Sequence, residues 1–577
     1  MRERDGAERF CARKGHALWP SCRCIILATK LISASTAGRT IWPWHCAREG
    51  FGAAIGLRRP TSIGEGLLLA KPKPEVHFRR TEQLARQLSG RDVYDWLQTI
   101  GFYPESYVLP PCFVVTQHRP MGKALVGHTT KAYKPPLTEL LCLQFPKSDW
   151  TDRTFGIIDP NLHTDMAQII ARNWKALLGV IFHRANRVFS YSFPIPVDGR
   201  ALGTVGALRA GRMIYEWIEM AERDLAAEAF RYRCLFTTDV KNCYASMYTH
   251  SIPWAIHGKK VARTRRFDYD LIGNRLDKLF QNANDGCTNG IPVGPAISDL
   301  VAELVLAGAD LHFSRALNKT AYANDVLVVR FKDDYRILTK RLDQGRSVLK
   351  LLQASLQEYR LELNDGKTES RPLPGGLFRP WVSEYHALNP HPRGRYDYRR
   401  FREVYLGVVE IDQEHPGTGV VDRFLADIVT RKNTLRLWLR PRELDQTVSL
   451  LLMLPALRAK ALPKVLAVVE ALLTRYPNAR TTQTIGSQLA SWYDELVQRE
   501  PENVYQLAWL AYFMRSNGLD SHFTGEYKLK DPIARAPYTS RFSALGQPSD
   551  TKLFQGVKAS AKAGSLLQHL DIFDRTP

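Results

Sequence analysis

Two apolar runs with strand character each carry an acid at one end. In CLFTTDV the acid is Asp239, which closes the run. In TAYANDVLVVRF it is Asp325, beside Asn324, at what reads as the tip of a buried hairpin. A buried strand end is a costly place for a charge unless a partner or a metal compensates it. Two acids on adjacent strands can instead converge on hard cations. Mg²⁺ takes few protein carboxylates and shares its shell with phosphate oxygens. Two such ions about 4 Å apart clamp the attacking and leaving oxygens of a displacement. Taken singly, Asp239 fits a cap of the following helix equally well.

The pattern around these runs sets the fold class. From about residue 80, strand-like and helical stretches alternate. RVFSYSFPIPV reads as strand, GALRAGRMIYEWIEMAERDLAAEAF as a long amphipathic helix, and NGIPVGPAISDLVAELVLAGADLHFSRAL as a Gly/Pro turn feeding a second long helix. No Gly-rich dinucleotide fingerprint is present, so the order is α+β and palm-like. After about 425 strand signals vanish, and LLLMLPALRAKALPKVLAVVEALL, QTIGSQLASWYDELVQR and NVYQLAWLAYFMRSNG read as consecutive amphipathic helices. They suit a bundle or a HEAT-like array, although no clean repeat period is visible.

Residues 1–84 have a different texture, rich in Arg, Gly and Cys, and read as a basic, poorly ordered extension. Cys22, Cys24, Cys46, His16 and His45 lie there in a spacing that matches no common zinc pattern. The nine cysteines form no even framework and read as reduced thiols. No apolar run reaches the roughly 18 residues of a membrane span. The 577 residues carry a formal charge of +22, which points to a polyanionic partner, nucleic acid first. HGKKVARTRRF concentrates Lys259, Lys260, Arg263, Arg265 and Arg266, a phosphate-contact candidate that also fits a solvated face.

Five segments in order resemble the motifs of reverse transcriptases. These are FTTDVKNCYASMY, NGIPVGPAISDL, AYANDVLV in the place of the Tyr-X-Asp-Asp motif, LQEYRLELNDGKTES with its Leu-Asn-X-X-Lys-Thr core, and VYLGVVE at the start of a primer-grip region. YTHSIPWAIHGK and the helical C-terminal extension look like abortive-infection and other defence-associated bacterial members. GFYPESYVLPPCF suggests the subgroup in which two reverse transcriptases are encoded together.

The resemblance implies a right-hand polymerase, with fingers over 85–235, a palm over 236–410, and an α-helical thumb and C-terminal region over 411–577. It implies nucleotidyl transfer from dNTPs with two Mg²⁺ ions, or Mn²⁺ in their place. Template-directed or untemplated DNA synthesis in antiphage defence would follow, in a bacterial cytoplasm. The implied partners are RNA or DNA, a non-coding RNA or a second reverse transcriptase, and further copies of the chain, with no membrane. Asp239, Asp325 and Asn324 would hold metal, with the Val240 carbonyl completing a site. Tyr244 would select the sugar. Gly290, Pro292, Gly294 and Ser298 would approach the nucleotide, with Arg209 and Arg212 near its phosphates. Lys367 would serve as general acid, although alone it reads as a solvated charge. Leu406 and Gly407 would meet the primer.

Two positions depart from the pattern. Val293 stands where the family has Gln, and Asn324 where it has the first Asp of the pair. One fewer carboxylate weakens the hold on two close cations. Asn324 therefore leaves three alternatives: an active polymerase with an adapted ligand, a weakened subunit that binds nucleic acid and a partner polymerase, or an introduced trap.

Overall fold

The computed structural model describes residues 71–122, 133–147, 151–197, 210–430 and 434–570. The expectations for residues 1–70, including the cysteine and histidine cluster, lie outside them. The five cysteines among the described residues, Cys112, Cys142, Cys234, Cys243 and Cys287, are all unpaired. No described helix is long and apolar enough to cross a membrane.

At the centre stands a five-stranded sheet in the order β3-β5-β6-β4-β7. Its strands are β3 (Val188–Ser190), β4 (Cys234–Asp239), β5 (Val326–Phe331), β6 (Asp334–Thr339) and β7 (Glu369–Pro372). β5 and β6 form a hairpin whose register pairs Val326 with Thr339 and Phe331 with Asp334. β6 then pairs antiparallel with β4, from Cys234 opposite Thr339 to Asp239 opposite Asp334. β-branched and aromatic residues suit such half-buried strands.

Two long helices cover one side. Ala296–Leu317 is buried over most of its length, with apolar residues on every face and the acids Glu303 and Asp310 buried among them, as befits a core helix. Leu342–Gln357 packs through Gly345, where an added Cβ would lie 1.9 Å from Phe236 Cε2, so only glycine lets that helix meet β4. The sheet and these helices share one core with the N-terminal helices Lys73–Gln87 and Gly90–Gln98.

The second core is built from the C-terminal helices. Its axis is Glu500–Ser516, buried without interruption from Val504 to Met514 apart from Gln506. This core also takes in Phe102, Tyr103, Val108 and the hairpin β1 (Leu141–Pro146) and β2 (Asp152–Ile157). Tyr103 Oη donates to the Leu553 carbonyl at 2.7 Å, and Arg119 Nε reaches Asp550 at 3.2 Å. The expected boundaries at 84/85, 235/236 and 410/411 each fall inside an element: Lys73–Gln87, β4 and the helix Tyr398–Glu414. One strand after 425 also has no signal in the sequence. β9 (Leu437–Trp438) pairs in parallel with β8 (Tyr396–Asp397), too short a run to show a period.

His569 is half-buried against this second core, with its Nε2 on the Ser106 carbonyl at 3.2 Å, and the loss of water around its ring lowers its pKa to about 4. The unfolded imidazole titrates near 6.5. As pH falls from about 6.5 towards 4, the unfolded chain gains a proton that the folded chain refuses. Stability should therefore drop by about 3 kcal/mol across that window and level off below it. Urea unfolding followed at stepped pH should show this drop in the parent chain and a flatter profile in His569→Gln.

Candidate active site

The acids that meet in the structure sit at the β5–β6 turn. Asp239 ends β4 and faces Asp334 across the ladder. Val240 N–H donates to the Asp333 carbonyl at 3.1 Å, which fastens the turn to the strand that carries Asp239. Asp239, Asp333 and Asp334 thus cluster at one end of the sheet. Lys367, in the turn Asp365–Lys367, places Nζ 2.7 Å from Asp239 Oδ2. That bond holds the Lys367 ammonium above its usual range, so it stays protonated through neutral pH.

The cluster accumulates negative charge. Asp334 is exposed at the mouth of the cleft, and crowding by the surrounding protein, with Asp333 and Asp239 beside it, raises it to about 6. Burial likewise raises Asp333. Asp239 Oδ1 is buried with no hydrogen-bond partner among the described residues. An unpartnered carboxylate oxygen with two more acids nearby suits a hard divalent cation, although the three carboxylates do not all lie within 4.8 Å of one another here, as those of Glu384, Glu414 and His415 do. An open cleft of about 360 Å³ leads to it, lined by Asp239, Asp334, Lys367, Arg336, Arg371 and Trp217.

Asn324 and Asp325 are elsewhere, and this corrects the sequence assignment. They belong to a short helical turn, Ala323–Asp325, ahead of β5. β5 runs parallel to β4, so they sit at the Cys234 end of the sheet. Six residues of strand, about 20 Å, separate that end from Asp239. Asp325 pairs there with Lys340 Nζ at 2.7 Å, which lowers its pKa. The acids that reach Asp239 belong to Phe331-Lys332-Asp333-Asp334, an aromatic-X-Asp-Asp run with both acids present. Strand β5 has an acid-bearing segment at each end, and the motif resemblance points to the wrong one. The decisive signal is the second strand, YRILT, which makes the FKDD run a turn between strands.

The turn is locked from behind. Arg330, 1% exposed, directs Nη2 and Nη1 to Glu303 at 2.9 Å each and Nε to Asp310 at 2.9 Å. Its Nη1 also donates to the Lys332 carbonyl at 2.9 Å, and Tyr335 Oη to Asp310 at 2.8 Å. Lys332 itself takes a positive φ of 53°, uncommon for a side chain of its kind. Sequence reasoning misses this network, because its partners lie on a helix and a strand whose packing no periodicity reveals.

The remaining predicted residues divide. Tyr244 follows Asp239 on the chain and donates Oη to Asp299 Oδ1 at 2.5 Å; burial, then Asp299, raises it well above its usual range. The Gly/Pro turn is tied to the same segment, with Gly290 N–H on the Met247 carbonyl and Ile291 N–H on the Tyr244 carbonyl, both at 2.9 Å. Gly294 takes φ +125°, and a Cβ there would lie 2.8 Å from Pro104 Cγ. Pro292 is buried beside it, and Ser298, fully buried, opens the long helix with its hydroxyl unpartnered among the described residues. Val293 packs on the second core while its carbonyl accepts from Gly156 N–H at 2.9 Å, a structural reason for an apolar residue there.

Leu406 and Gly407 lie within the helix Tyr398–Glu414; Gly407 is explained by Leu388, whose Cδ1 would stand 2.6 Å from an added Cβ. In the basic run, Lys259 pairs with Glu358 and Arg265 with Asp268, whereas Lys260, Arg263 and Arg266 are exposed. Arg209 and the side chain of Arg212 lie outside the described residues.

Comparison with known proteins fits this geometry. Residues 185–376 match the family described as reverse transcriptase (RNA-dependent DNA polymerase). No curated protein matches significantly. Among solved structures, the C-terminally truncated telomerase of Candida tropicalis is 14% identical over 42% of this chain and 52% of its own, with a TM-score of 0.28. The chain thus spans about half of that telomerase. The apo telomerase of the same organism is 10% identical over 80% of this chain and 67% of its own, TM-score 0.31. The RNA-dependent RNA polymerase of bacteriophage phi12 is 13% identical over 60% and 78%, TM-score 0.18. At such TM-scores none of these structures adds to the fold described above. The match falls on the five-stranded sheet, its acid cluster and the Lys367 turn, so residues 185–376 form a reverse-transcriptase domain in an α+β polymerase fold that continues into a helical C-terminal region.

Proposed function

We propose that the chain is a DNA polymerase of reverse-transcriptase type that extends a primer from dNTPs in bacterial antiphage defence. The observation that carries this reading is the placing of Asp239 opposite Asp334 and beside the Asp333 backbone, with Lys367 2.7 Å from Asp239. Asp239 and Asp333 or Asp334 would hold divalent metal, with the Val240 carbonyl beside them. When bound, Mg²⁺ or Mn²⁺ neutralises charge on the attacking and leaving oxygens.

The chain's own groups supply the rest. Lys367, kept protonated, can pass a proton to the leaving pyrophosphate. Tyr244, fixed by Asp299, presents a ring that would collide with a ribose 2′-hydroxyl and so favour deoxynucleotides. The backbone of Gly290 to Gly294 would approach the base pair, and exposed Lys260 and Arg263 would meet phosphates. A non-coding RNA or a second reverse transcriptase is the proposed partner, in the cytoplasm.

The alternative of a weakened scaffold subunit rests on Asn324 and Val293. Asn324 lies at the far end of the strand and Val293 has a packing role, so neither favours that reading over catalysis. Purified protein with Mg²⁺, dNTPs and candidate RNA templates should yield a labelled DNA product that Asp239→Ala abolishes. Phage protection that survives Asp239→Ala would instead favour the scaffold.

A further inference from the structure

Outside the five-stranded sheet, the chain carries a basic surface that nothing in the reaction uses. The β8–β9 ladder brings two arginine-rich segments together, YDYRRF with its preceding PRGR and the TLRLWLRPR run. At its centre Trp438 is 46% exposed. The Arg395 guanidinium carbon lies 4.1 Å from the indole centroid, and that of Arg475 lies 4.0 Å from it. Neither arginine pairs with a carboxylate among the described residues; Arg475 is steadied by the Leu435 carbonyl at 3.2 Å. Arg436 holds the Arg393 carbonyl at 2.5 Å, which places Arg393 at the same edge. Arg440 adds a fifth cation, offset in part by Glu443 at 3.9 Å. None of these residues lines the cleft at Asp239.

An exposed cluster of like charges is unfavourable in the free protein. Here the indole face compensates part of that repulsion and holds two planar forks in fixed places. A guanidinium held this way loses little freedom on binding and fits a phosphate oxygen pair. We infer that the Trp438 patch is a docking surface for the phosphodiester backbone of a nucleic acid, separate from the catalytic cleft. The polymerase reading enters only in choosing nucleic acid as the polyanion. The patch itself stands on the arginines, the lack of carboxylate partners for Arg395 and Arg475, and the stacked indole.

The test uses the full chain and fluorescence anisotropy with a 5′-labelled single-stranded RNA and the DNA of the same sequence, over a salt series. Arg395→Ala/Arg475→Ala removes two phosphate-binding cations and should lower the salt slope by about 1.4 and the affinity about tenfold at roughly 0.15 M salt. Unchanged affinity and slope on both probes would overturn the inference. So would a loss seen only with phosphatidylserine vesicles and on neither strand. A preference for RNA or for DNA identifies which strand docks. If the alanine pair unfolds, Arg395→Lys/Arg475→Lys decides. It keeps the charge but not the stacked fork, so a roughly threefold loss is expected and no loss contradicts the patch. Because Asp239→Ala leaves the patch intact, it should bind like the parent even if catalysis fails.

Discussion

Replacing Asp334 with Asn should cut DNA synthesis about 10³-fold, whereas Asn324→Asp should leave it within about twofold. Metal ions at developing charge contribute several kcal/mol to a displacement, and each step of about 1.4 kcal/mol is tenfold in rate. Asp334 faces Asp239 directly, so its loss removes a carboxylate from the cluster. Asn324 lies at the other end of β5, where a new acid would only join Asp325 near Lys340. Asp325→Asn should likewise be nearly silent in catalysis, because it removes one exposed ion pair. Incorporation of labelled dNTP per unit of folded protein is the measurement. Equal losses in Asp334→Asn and Asp325→Asn would mean that neither pair is specifically catalytic.

The largest effect on stability is expected at Arg330. Burial alone would lower its pKa, and the carboxylates of Asp310 and Glu303 more than reverse that. Arg330→Ala strands two buried acids, at a cost of about 3–5 kcal/mol. It also frees the Lys332 carbonyl, so the β5–β6 turn loses its anchor. Arg330→Lys should recover only part of the loss, because one ammonium cannot serve both acids and the carbonyl in that geometry. Replacing Arg330, Glu303 and Asp310 together with apolar residues of similar volume should be far milder, since no unpaired charge remains. Urea midpoints for the three variants test this ordering, and a single-site loss under about 1 kcal/mol would show that the network is not a stabilising lock.

The palm was legible because each of its parts has a local signal. An acid after an apolar strand marks Asp239, a Gly/Pro turn before a long helix marks Gly290 to Gly294, and a short Leu-Asn-X-X-Lys-Thr run marks Lys367. The pairing partner of Asp239 was not legible in the same way. Which end of β5 meets Asp239 depends on the parallel relation of β5 to β4, and that is set by long-range register. The Arg330 network, the sharing of one core by residues 102–157 and the C-terminal helices, and the Trp438 patch all depend on packing between distant segments. None leaves a period in the sequence. The apparent Asn-for-Asp substitution comes from the same ambiguity, and it disappears once Asp333 and Asp334, at the β5–β6 turn, are taken as the acid pair.

Divalent metal is proposed to bind at Asp239 with Asp333 or Asp334, and not at Asn324 and Asp325. Mn²⁺ binding followed by electron paramagnetic resonance tests it without any need for template or primer. Asp333→Asn/Asp334→Asn should lose bound Mn²⁺ while Asn324→Ala/Asp325→Asn retains the parent's stoichiometry. Retention by the first pair and loss by the second would put the metal at the Asn324–Asp325 end of β5 instead.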